Sequence, residues 1–103
     1  MPAKLSIEDL LEYVTMAKGS LALLEKSGKA TEDEREKARE VLAEVQMQVL
    51  KAITDSLQAR TALLQKLNKK LANLVSDFSD SKATVALDSI ASVVEMGRKL
   101  LGQ

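Results

Sequence analysis

The feature that most constrains the fold is a run from Thr31 to Phe78 that contains neither Gly nor Pro. Apolar residues recur in this run every three or four positions, the spacing that places side chains along one side of an α-helix. They are Ala38, Leu42, Val45, Val49, Ile53, Leu57, Leu64, Leu67, Leu71, Leu74 and Phe78. The pattern predicts one helix over residues 32–76, and a helix of about 45 residues would be about 65 Å long.

Shorter helices are predicted on both sides of this run. Ser6 can cap a first helix over residues 7–27, since its hydroxyl can accept the free amides of the first turn. Thr31 and Glu34 have the spacing of a capping box at the start of the long helix. A third amphipathic helix is predicted over residues 82–101.

These lengths predict an all-α bundle of three helices with a long central helix. The two outer helices would fold back along the two halves of the central helix as antiparallel hairpins. A layer of two helices cannot enclose a core, because each apolar stripe is wider than one partner can cover. We therefore expect a homodimer. The residues expected at the surface for self-association or partner binding are Leu42, Val45, Val49, Ile53, Leu57, Arg60, Leu64, Leu67 and Leu71.

The alternative architecture is a monomeric up-down-up-down bundle of four helices, in which the long helix breaks near 54–61. The apolar steps there lengthen to four and four, from Val49 through Ile53 to Leu57, and the expected core position is occupied by Arg60. The segment contains no Gly, Pro or Asn to form a tight connection. On this ground the sequence favours the continuous helix.

Charge along the long helix is divided into two halves. Residues 30–45 hold six acids and three bases, whereas residues 51–82 hold six bases and three acids. Two antiparallel copies of the helix would pair opposite charges, which favours an antiparallel arrangement in the dimer.

Composition excludes several functions. The 103 residues include no His and no Cys, which removes the usual zinc ligands, the common catalytic nucleophile pairs and disulfides. We expect no catalytic residue, no metal and no cofactor. A net charge of zero and only two aromatic residues, Tyr13 and Phe78, argue against nucleic-acid binding. No apolar stretch approaches the length of a membrane span or forms a signal segment, so we expect a cytoplasmic protein.

Three features invite a functional interpretation but have simpler structural ones. Arg60 could bind an anion, although packing of its stem on Leu57 and Leu64 explains it as well. The lysines of 66–70 are more typical of a solvated surface than of a phosphate site. Gly97, on the apolar side of the third helix, indicates close approach of another helix.

The function that these observations favour is that of a small non-enzymatic interaction module, which acts as an adaptor, inhibitor or chaperone by binding another protein. The alternative is binding of a small apolar ligand or lipid in the core of the bundle.

Overall fold

The computed structural model describes residues 5–53 and 56–102, and for residues 51–53 it describes the backbone alone. The described residues form four helices and no strand: α1 (Ile7–Lys26), α2 (Glu32–Ile53), α3 (Leu57–Asp77) and α4 (Thr84–Leu100). The predicted all-α class is confirmed. The longest dimension of the molecule is 39 Å, which cannot accommodate a helix of about 65 Å.

The prediction of one continuous helix over residues 32–76 is wrong, and the four-helix alternative fits the structure. Ser56 is in an extended conformation, with φ −67° and ψ 168°, and its side chain accepts a hydrogen bond from the amide of Ala59 at 3.3 Å. Ser56 is therefore the N-cap of α3. Residues 54 and 55 lie outside the described part of the chain.

Four helix pairs form the walls of the bundle: α1 with α2, α2 with α3, α3 with α4, and α4 with α1. Each helix thus has two neighbours, and the apolar stripes of all four meet in one core. Fully buried members come from every helix, among them Leu24, Val45, Leu67 and Ile90. The four helices enclose a core within one chain, so the inference from an open two-helix layer to a dimer no longer applies.

The predicted helix starts are confirmed. Ser6 accepts a hydrogen bond from the amide of Asp9 at 3.0 Å. The capping box also forms, since the Thr31 amide donates to Glu34 Oε1 at 2.8 Å and the Glu34 amide donates to Thr31 Oγ1 at 3.2 Å. Ser81 Oγ donates to the same Glu34 oxygen at 2.9 Å. This buried carboxylate therefore joins the start of α2 to the α3–α4 connection.

A buried polar chain crosses the core and fixes three helices against one another. The Tyr13 hydroxyl on α1 donates to Asn68 Oδ1 on α3 at 2.9 Å, and Asn68 Nδ2 donates to the carbonyl of Val94 on α4 at 3.1 Å. Gly97 makes room for the Asn68 side chain, because a Cβ built on it would lie 2.3 Å from Asn68 Oδ1. The expectation that Gly97 permits close approach of a helix is confirmed.

We predict that Gly97→Ala destabilises the protein by about 1–3 kcal/mol, as overpacking of a fixed core does. The new methyl group can be accommodated only if Asn68 abandons both of its hydrogen bonds. Gly19→Ala is the matched control, since Gly19 is also inside a helix and a Cβ added there would meet nothing within 4 Å. That control gains up to about 1 kcal/mol from helix propensity. Urea unfolding followed by circular dichroism measures both, and equal stabilisation by the two substitutions would contradict the prediction.

We also predict an alkaline loss of stability that depends on Tyr13. Burial raises the pKa of the Tyr13 phenol well above its usual value of 10.0. Above pH 10 the unfolded chain therefore releases a proton that the folded chain retains, and the free energy of unfolding falls by up to about 1.4 kcal/mol per pH unit.

Tyr13→Phe separates this effect from the titration of lysines in the same range. At pH 8 the variant is less stable by about 1–3 kcal/mol, because Asn68 Oδ1 loses its buried donor. Its stability then declines less steeply than that of the wild type, so the gap narrows between about pH 10 and pH 11.5. A gap that stays constant over this range in urea titrations would rule out the tyrosine as its source.

Candidate functional site

The nine residues predicted as an interface mostly line the core of the bundle. Five are buried there: Val45, Val49, Leu64, Leu67 and Leu71. Leu42 is half-buried and packs against the same core. Leu57 and Arg60 lie in the first turn of α3, where Leu57 is exposed and Arg60 is half-buried. Ile53 ends α2, and its side chain lies outside the described residues. Most of the stripe is therefore covered by the chain's own helices.

The division of charge expected to pair two copies operates within one chain. Glu44 on α2 lies 3.4 Å from Lys66 Nζ and forms a short hydrogen bond with Lys70 Nζ, both on α3. The hydrogen bond from Lys70 holds the pKa of Glu44 below its usual range. Folding at Ser56 brings the acidic half of the run beside the basic half, so these two lysines are counterions of a carboxylate in the same hairpin.

A cluster of apolar side chains remains exposed on the outer surface of α1 and α2, and we call it the α1–α2 apolar patch. It consists of Ile7, Leu11, Met47 and Leu50. The exposed fractions of Met47 and Leu50 are 77% and 72%. Because α1 and α2 are antiparallel neighbours, the first turns of α1 lie beside the last turns of α2. The two pairs therefore occupy the same end of the hairpin.

Helix geometry places both pairs on the α1–α2 side of the bundle. Ser20 faces α4, since its Oγ lies 2.6 Å from Ser89 Oγ. Leu11 precedes Ser20 by nine residues, or about 900° of helix, and so lies on the opposite flank of α1. Leu50 lies about 120° around α2 from Glu44, which faces α3. Apolar surface exposed on one side of a folded chain is typical of an interaction site.

Acidic residues border this patch. Glu8 and Glu12 are exposed and lie one turn apart on α1, adjacent in sequence to Ile7 and Leu11. Within the described residues, neither carboxylate forms an ion pair. The patch therefore presents apolar surface with negative charge at its α1 border.

A second surface lies at the other end of the bundle, between α1 and α4, and we call it the α1–α4 groove. Leu23 and Val85 are its exposed apolar residues, and Lys26, Lys29 and Lys82 line its edges. The groove has a volume of about 440 Å³. None of these lysines pairs with an acid among the described side chains. This surface combines apolar residues with positive charge.

Sequence reasoning missed the exposed patch because it followed the stripe. Met47 was expected to fill the core or its rim, and it is the most exposed large apolar residue described. The available signal was a pair of apolar residues three positions apart, Met47 and Leu50, on the side of α2 away from Val45 and Val49. An apolar pair that departs from the stripe of an amphipathic helix indicates a second packing surface.

The chemistry available to these surfaces is non-covalent binding. Among residues 5–50 and 56–102, no three acidic, histidine or cysteine side chains come together as metal ligands would. The buried polar groups Tyr13, Glu34 and Asn68 are engaged in hydrogen bonds that position helices. No helix in the described part of the chain combines the length and apolar character of a membrane span.

Comparisons of the chain with models of protein families, with curated proteins and with solved structures found no match. The case for a function therefore rests on the two surfaces.

A pair of substitutions on α2 tests which of its sides packs inside the bundle. We expect Val45→Ala to lower the free energy of unfolding by about 2 kcal/mol, because it opens a cavity beside a fully buried residue. Met47→Ser should change stability by less than about 0.5 kcal/mol, as is usual at an exposed position. Chemical unfolding of both variants measures this, and a larger loss from Met47→Ser would show that Met47 is buried in solution.

Proposed function

We propose that this protein is a non-enzymatic binding module whose α1–α2 apolar patch docks an amphipathic helix of another protein. The observation that carries the proposal is the exposure of Met47 and Leu50, two large apolar side chains one turn apart on a well-packed bundle. An amphipathic helix places apolar residues at the same spacing on its own surface and can cover such a patch. Methionine favours this use because its unbranched side chain adapts to different partners.

The charge at the border indicates the character of the partner. Glu8 and Glu12 would pair with Lys or Arg residues beside the partner's apolar surface, which would set the orientation of docking more than its strength. Complete burial of Met47 and Leu50 would contribute about 3–6 kcal/mol before the cost of association is subtracted. This magnitude favours reversible binding of the kind that adaptors, inhibitors and chaperones use.

The homodimer predicted from the sequence remains a proposal, and it needs a surface other than the buried stripe. A two-fold dimer through the α1–α2 apolar patch would bring the carboxylates of Glu8 and Glu12 from both copies together. Like charges placed opposite one another across an interface oppose association. We therefore favour a different, basic partner for this patch, and we place the interaction in the cytoplasm.

The proposal is tested by photo-crosslinking in cells of the source organism. A photoreactive amino acid at position 47 should give discrete adducts with a small number of proteins. The crosslinked peptides should have the pattern of an amphipathic helix with Lys or Arg beside its apolar residues. Val85 is the matched control position, because its exposed fraction of 74% is close to that of Met47 and it lies at the other end of the bundle.

A second substitution makes the result specific to the patch. Leu50→Asp, combined with the photoreactive residue at position 47, should remove the adducts while the thermal unfolding curve stays within a few degrees of the parent. Identical adducts from positions 47 and 85, adducts that persist with Leu50→Asp, or no adducts from position 47 would each refute the proposal.

A further inference from the structure

The α1–α4 groove has a size and charge that differ from those of the α1–α2 apolar patch. Its exposed apolar surface comes from two large side chains, Leu23 and Val85, while its edges carry three lysines that pair with no described acid. A stable protein–protein interface buries about 800 Å² on each partner, far more than two side chains provide. A volume of about 440 Å³ is instead typical of the clefts that hold small molecules.

The arrangement of the lining residues indicates two parts to a ligand. Leu23, Val85 and the buried residue Ala86 offer contact to a hydrocarbon chain. The ammonium groups of Lys26, Lys29 and Lys82 lie on flexible stems and can converge on one anionic group at the edge. The stems of these lysines also extend the apolar surface, since their methylene groups pack along a hydrocarbon chain.

We propose that the α1–α4 groove binds a single-chain amphipathic carboxylate, with its alkyl chain against Leu23 and Val85 and its carboxylate among the three lysines. This site is separate from the surface proposed to dock a protein, because it lies at the opposite end of the bundle and has the opposite charge. Binding of such a ligand and docking of a partner helix can therefore be measured independently.

Three probes separate the contributions of charge and chain. Decanoate supplies both parts of the ligand, acetate supplies the carboxylate alone, and decyltrimethylammonium supplies the same chain length with a positive charge. Each is titrated below its micelle concentration into the protein labelled at its Leu and Val methyl groups. Decanoate should give saturable shifts in the methyl resonances of Leu23 and Val85, and the other two probes should give shifts at least about tenfold weaker in apparent affinity.

Substitutions assign the binding to the groove. Lys29→Gln combined with Lys82→Gln should weaken decanoate binding by about fivefold to twentyfold, and Val85→Ser should weaken it without changing its dependence on salt. Lys18→Gln is the control, because Lys18 is an exposed lysine of α1 that does not line the groove. These substitutions lie at or near the surface, so the variants should fold as the parent does.

The outcomes that overturn the proposal are distinct from those that would refute protein docking. Equal shifts from decanoate and decyltrimethylammonium would show a site without selectivity for an anion. Decanoate shifts confined to the methyl groups of Leu11 and Leu50 would assign the ligand to the wrong surface. An unchanged affinity in the lysine variant, or an equal loss with Lys18→Gln, would remove the assigned role of the lysines. Selective binding of an acidic peptide with no response to decanoate would make the groove a second protein site.

Discussion

The structure depends on the reversal of the chain at Ser56. The apolar stripe of α2 and that of α3 belong to one uninterrupted pattern in the sequence, and the reversal turns the second half back to face the first. Val45 and Val49 then pack within the same core as Leu64 and Leu67. Each such side chain contributes about 1.5–3 kcal/mol when it is fully buried. Four helices can therefore close a core of aliphatic residues without a second copy.

Apolar packing alone does not determine how the four helices are aligned, because Leu, Val and Ala fit many similar arrangements. The chain from Tyr13 through Asn68 to the Val94 carbonyl restricts the choice. A buried amide without partners costs about 1–3 kcal/mol, so an arrangement that separates these groups is disfavoured. Gly97 is the steric counterpart of this restriction, since only a residue without a side chain leaves space for the Asn68 amide. The polar chain thus selects one alignment of α1, α3 and α4.

Local signals allowed the helix ends at Ser6 and Thr31 to be predicted, because capping depends on residues three positions apart. The reversal at Ser56 was not predicted, since Gln58, Ala59 and Arg60 are good helix formers and no Gly or Pro stands beside them. Its energetic basis is the packing of α3 against helices distant in sequence, which overrides local propensity. The lengthened spacing from Val49 to Leu57 was the visible trace of the break. The stripe likewise predicted the core, while Met47 and Leu50 could be recognised as exposed only after the neighbours of α2 were known.

Both candidate surfaces share α1, and the stability of that helix accounts for their opposite charges. Glu8 and Asp9 lie in its first turn and Lys26 lies in its last, where each sign of charge interacts favourably with the helix dipole. The same distribution places carboxylates beside Ile7 and Leu11 and ammonium groups beside Leu23. A protein with zero net charge therefore presents two apolar surfaces with borders of opposite sign, and each can select a different class of ligand by electrostatic complementarity.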